Sequence, residues 1–139
     1  MVTTTTLYEG DLHCRLTHDP SGAVFDTDAP KDNQGKGESF SPTDLVGAAL
    51  GSCLLTVMGI AARTIGVAIE GATAKVVKTM ASAPVRRIAR FDVSIAIPHD
   101  PPPAERARLE AAALTCPVKT SLHPDIAIAI DFCWGADPK

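Results

Sequence analysis

Four cysteines stand at positions 14, 53, 116 and 133, and two of them sit where thiol chemistry could be done. Cys53 lies within Leu45 to Ala62, a stretch of 18 residues without a charge. Cys116 lies in Thr115-Cys116-Pro117-Val118, where a second helical pattern ends. Sixty-three positions separate the two, so only the fold can bring them together. A lone thiol in so apolar a segment is either an inert core residue or a protected nucleophile, the thiolate being the reactive form. The alternative for Cys53 is an inert core thiol, since apolar burial disfavours the thiolate. A second cysteine at its own structural boundary favours the nucleophile.

The remaining candidates are weaker. There is no C-x-x-C pair and no zinc-like cysteine spacing. Cys14 and Cys133 read as packing residues, and His13, His18, His99 and His123 as structural residues near turns or strand ends. A metal site built from His13, Cys14 and a distant cysteine is conceivable but is not adopted. The expectation is no metal and no cofactor. Trp134 reads as a C-terminal edge or dimer contact.

The elements that must position the thiols are legible in outline. Ser41-Pro42-Thr43-Asp44 is a helix start: Ser41 can cap, Pro42 suits the first position and Asp44 closes a capping box. The helix should run to about Arg63 or Thr64, apolar nearly all round and so buried on several sides. Its uncharged stretch is at the lower limit for a membrane span. Gly47, Gly51, Ser52, Thr56 and Gly59 within it, and the cap before it, point instead to a core helix. About 100° per residue puts Asp44 half a turn out of phase with Cys53, so Asp44 is a cap rather than a partner of the thiol.

Before that helix, Leu7 to Leu16 reads as one strand, Pro20-Ser21-Gly22 as a turn and Ala23 to Asp26 as a return strand. After it, Val67 to Lys78 is a strand candidate. Phe91, Val93, Ile95 and Ile97 alternate with more polar residues in the cleanest half-buried strand. Pro101-Pro102-Pro103 leads into a helix over Ala104 to Leu114, which Pro117 ends. Ile126, Ile128, Ile130 and Phe132 alternate in a last strand. The class is α+β in a single domain of 139 residues, with antiparallel sheets around a long central helix. One apolar face of that helix is left over, and a second copy of the chain is the economical cover.

Net charge is −3 with a pI near 5.7 and no basic run, which argues against nucleic acid and anionic membranes as main partners. Met1 to Thr6 lacks the basic start and apolar core of a secretory signal, so a cytoplasmic location is expected. Cysteines there are usually reduced, buried or catalytic.

The run from Phe40 to Cys53, Phe-Ser-Pro-Thr-Asp-Leu-Val-Gly-Ala-Ala-Leu-Gly-Ser-Cys, resembles the signature of the OsmC/Ohr family of osmotically induced and organic-hydroperoxide-resistance proteins. Thr115 to Val118 resembles that family's second cysteine site, and Asp28 to Gly37 is similar to its OsmC-like members. The resemblance implies an intertwined α+β homodimer with active sites at the subunit interface. It implies thiol-dependent reduction of organic hydroperoxides, with Cys53 peroxidatic, Cys116 resolving and an external thiol as reductant. Family hydroperoxide reductases pair a thiolate-supporting arginine with a glutamate just after the helix-start proline. Thr43 stands at that position here, Arg15 is the nearest match to the arginine, and Glu38 is a substitute carboxylate in the preceding loop. Two other readings stay open: a non-enzymatic protein binding a small apolar ligand at the dimer interface, and a cysteine redox sensor.

Overall fold

Alternation and turn chemistry build a first sheet from the N-terminal residues. β1 (Thr4–Gly10), β2 (His13–His18) and β3 (Ala23–Asp28) pair antiparallel in that order. The structure is a computed structural model and describes residues 1–135. Two compact units make up the chain, Met1–Val46 and Gly47 onward, and this sheet belongs to the first. The stretch expected as one strand, Leu7 to Leu16, is a hairpin instead. Gly10, Asp11 and Leu12 all have positive φ, at 100°, 50° and 60°. Gly10 has no Cβ to resist this, and aspartate tolerates the region better than most residues. Gly10-Asp11 was the turn signal in the sequence. A bulge precedes the turn: Tyr8 pairs with Cys14 and Gly10 with His13, which leaves Glu9 without an opposite number.

α1 (Pro42–Ile65) starts as its residues dictate. The Ser41 amide donates to Asp44 Oδ2 at 2.8 Å, and the Asp44 amide donates to Ser41 Oγ at 3.1 Å. This is the reciprocal capping box, and it accounts for Asp44.

In the second unit α1 lies on a sheet ordered β4 (Thr73–Ala81), β5 (Arg87–Ile97), β6 (Ala127–Trp134). Leu50, Leu54, Met58 and Ala62, four residues apart, form the buried stripe of the helix. Phe91, Val93, Ile95 and Ile97 of β5 are also buried, as their alternation requires. Two glycines set how close the layers come. A Cβ on Gly47 would lie 3.1 Å from Phe91 Cε1, and one on Gly51 would lie 3.1 Å from Val76 Cγ2.

β4 begins six residues later than the Val67 start read from sequence, after a turn in which the Ala72 amide donates to Ile69 O. β6 departs from the antiparallel expectation and runs parallel to β5, with Val93 opposite Ile130 and Ile95 opposite Phe132. The connection explains it. α2 (Pro103–Leu114) and α3 (Pro117–Ser121) carry the chain back to the starting end of β5, which a parallel pair needs. Leu109 and Ala113 of α2 complete the core, and Trp134 Nε1 donates to Glu110 Oε1 at 2.8 Å, tying β6 to α2. Pro117 ends one helix and also begins the next, a dual role not expected from the sequence.

Candidate active site

Cys53 is in the fourth turn of α1, flanked in sequence by the exposed Ser52 and the buried Leu54, and its own side chain is half-buried. Cys116 is fully buried. It sits between α2 and α3, where it caps α3: its Sγ accepts from the Lys119 amide at 3.5 Å. Its carbonyl accepts from both the amide and the hydroxyl of Thr120, each at 3.1 Å. The cysteine is therefore fixed at backbone and sulfur alike.

The Cys53 side chain lies close enough to the Cys116 thiol to act on its proton equilibrium. The fold closes the separation of 63 positions because α1 and the α2–α3 junction belong to one core. Burial pushes the Cys116 thiol above its ordinary range, and the nearby Cys53 side chain adds to this. The Lys119 amide pulls the other way without prevailing. Cys116 thus holds its proton at neutral pH. All four cysteines are free thiols, with Cys14 half-buried in β2 and Cys133 exposed on β6.

Arg15 belongs to the first unit, on β2. Its side chain is 52% exposed, and its Nε lies 3.4 Å from Asp26 Oδ1 and 3.6 Å from Glu9 Oε1. The carboxylates that engage it are therefore Asp26 and Glu9. Glu38 instead donates its amide to Asp28 Oδ2 at 3.0 Å. Register would have found the Asp26 pair: the Pro20-Ser21-Gly22 turn places Arg15 opposite Asp26 and His13 opposite Asp28. His13 Nδ1 lies 2.5 Å from Asp28 Oδ1, and this contact raises the imidazole above its ordinary 6.5 while lowering the carboxyl below its ordinary 3.8. Thr43 places its hydroxyl 3.1 Å from Ser41 Oγ.

Comparison with known proteins then decides the family. A family model described as OsmC-like protein matches residues 35–131, which include both Cys53 and Cys116. The chain belongs to the OsmC-like family. The fold agrees over nearly the whole length. A crystal structure from Psychrobacter arcticus, described as an osmotic stress induced and detoxification response protein, is 43% identical. The match covers 95% of this chain and 96% of that one, with a TM-score of 0.90. The organic hydroperoxide resistance protein OsmC of Legionella pneumophila is 15% identical, with 96% of each chain covered and a TM-score of 0.76. The organic hydroperoxide resistance protein OhrB of Bacillus subtilis is 16% identical, covering 95% of this chain and 97% of its own, with a TM-score of 0.66. At those lower identities the likeness is one of fold. No curated protein matches the chain.

Proposed function

We propose that this OsmC-like protein is a single-domain, cytoplasmic, homodimeric thiol peroxidase that reduces organic hydroperoxides without a cofactor. The observation that supports it is the proximity of Cys53 to the buried Cys116, on whose thiol its side chain acts. In this reading the Cys53 thiolate attacks the distal oxygen of the hydroperoxide. The O–O bond breaks, Cys53 becomes a sulfenic acid, and the alkoxide takes a proton to leave as the alcohol. The Cys116 thiol then displaces the hydroxyl of the sulfenic acid, giving a Cys53–Cys116 disulfide and water. An external dithiol reduces that disulfide and is itself oxidised. Exposure supports the order, because Cys53 is half-buried whereas Cys116 is enclosed. The neighbouring Leu50 and Leu54, both buried, suit an apolar peroxide.

Arg15 is proposed, from the family resemblance, as the cation that favours the Cys53 thiolate. Arg15→Gln is then expected to move Cys53 alkylation to higher pH. A flat response would remove Arg15 from the mechanism while leaving the cysteine pair in place. Thr43, where the family's hydroperoxide reductases carry glutamate, favours a second reading in which the dimer only binds an apolar ligand. Steady-state consumption of cumene hydroperoxide with a dithiol reductant separates the two. A peroxidase turns over many equivalents per chain, a sensor oxidises once and a binder consumes none.

A further inference from the structure

One face of the β1–β2–β3 sheet carries a set of charged side chains that the thiol chemistry leaves unexplained. Strand alternation puts His13 and Arg15 of β2 on the same face, opposite Asp28 and Asp26 of β3. Glu9 reaches this group from the bulge in β1, a device that re-aims a side chain out of register. His13 Nε2 lies 3.6 Å from Glu9 Oε2 and 3.9 Å from Asp26 Oδ1. The donor atoms of all three residues fall within 4.8 Å of one another. Nitrogen and oxygen ligands about 2.0–2.2 Å from a tetrahedral zinc ion stand roughly 3.3 Å apart. Closing the set on a metal would therefore draw the His13 pairs together by about half an ångström and the widest pair by up to about 1.5 Å.

We propose that Glu9, His13 and Asp26 form a site for a divalent first-row transition metal of the zinc type. Two further features fit such a site. Asp28 is buried and holds His13 Nδ1, leaving Nε2 directed at Glu9 and Asp26. A carboxylate on the far nitrogen is the usual support of a metal-ligating histidine. Beside His13 a cleft of about 290 Å³, lined also by Glu9, Asp28, Lys36 and Glu38, leaves room for water or an exogenous ligand on the open side of the ion. Two carboxylates and a neutral imidazole balance a divalent charge. Arg15 competes, since its Nε faces the same two carboxylates. Its half-exposed side chain can turn to solvent when the ion enters.

The test is nitrogen-15 NMR of the histidine side chains in the reduced, metal-free protein, titrated with Zn²⁺. One equivalent should move the His13 Nε2 resonance and leave those of His18, His99 and His123 in place. Asp28→Asn should weaken the event about 10–100-fold, Glu9→Gln and Asp26→Asn should weaken it further, and Arg15→Gln should tighten it. Zinc captured only by the Cys53–Cys116 pair moves none of the His13 nitrogens and would overturn the proposal. So would a His13 shift of equal affinity in Glu9→Gln and Asp26→Asn. Because the primary reading is taken on the unsubstituted chain, a variant that fails to fold leaves the proposal open to refutation.

Discussion

Cys116 is the residue whose setting has the clearest consequence. Its thiol is fully enclosed, and its pKa is raised first by burial and then by the Cys53 side chain beside it. A raised thiol pKa means less thiolate at any pH below it. In the reduced protein, alkylation by iodoacetamide should therefore label Cys53 well before Cys116, and Cys116 labelling should rise only above pH 9. Equal rates at neutral pH, read by peptide mass spectrometry, would contradict this ordering. The same raised pKa fixes a sign for stability. The enclosed neutral thiol is no burden below the unfolded-state value, and the folded state loses stability as pH rises through and beyond it. Cys116→Ser should leave a sulfenic acid on Cys53 after one equivalent of peroxide, trapped by dimedone. At Thr43, substitution by glutamate should shift Cys53 alkylation to lower pH if a carboxylate at that position steadies a cation near the thiol. An unchanged profile would show that the thiolate is supported in another way.

At the scale of elements, the sequence disclosed those whose local chemistry and pattern agree. Ser41-Pro42-Thr43-Asp44 announced α1, and the reciprocal hydrogen bonds of Ser41 and Asp44 are those a capping box requires. The alternation from Phe91 to Ile97 announced β5, and those four apolar residues are buried. What stayed hidden depended on pairing. The Gly10–Leu12 turn was hidden when Leu7 to Leu16 was read as one strand across the Gly10-Asp11 signal, and with it the position of Glu9. The parallel pairing of β6 follows from where α2 and α3 return the chain, which no local pattern records. The pairing of Cys53 with Cys116 is an expectation from the resemblance, and how near the two side chains lie depends on the folded core rather than on any local pattern. The packing of α1 supplies an independent check. A Cβ at Gly47 or Gly51 would come within 3.1 Å of β-sheet side chains. Gly51→Val should therefore destabilise the protein by about 1–3 kcal/mol through overpacking, measured by urea unfolding. Gly59, around which a Cβ would meet nothing within 4 Å, should accept alanine with no such cost. Equal losses at both positions would contradict the close contact.

At the scale of the molecule, the described residues leave apolar surface of α1 exposed. α1 is 24 residues long, its most apolar stretch has a mean hydropathy of 2.1, and only 33% of that stretch is buried. Ala48, Ala49, Ser52, Thr56 and Ile60 are exposed, and Ile60 is 64% accessible. Such a face on a family member with Cys53 beside it is the reason to propose a dimer in which the second copy covers α1. Sedimentation velocity at low micromolar concentration should give the mass of two chains. Ile60→Glu should shift the population toward single chains, whereas the same change at an exposed position of α2, such as Ala107, should not. A stable, well-folded single chain at that concentration would remove the argument for a site completed at an interface.

The most direct measurement follows the two sulfurs through one catalytic cycle. The reduced protein is treated with cumene hydroperoxide, digested without reduction and read by mass spectrometry, alongside turnover with a dithiol. The expected result is a peptide linking Cys53 to Cys116, many equivalents of peroxide consumed per chain, and loss of that consumption in Cys53→Ser. Consumption by Cys53→Ser at the unsubstituted rate, with no linked peptide in the parent protein, would contradict the thiol-pair mechanism outright.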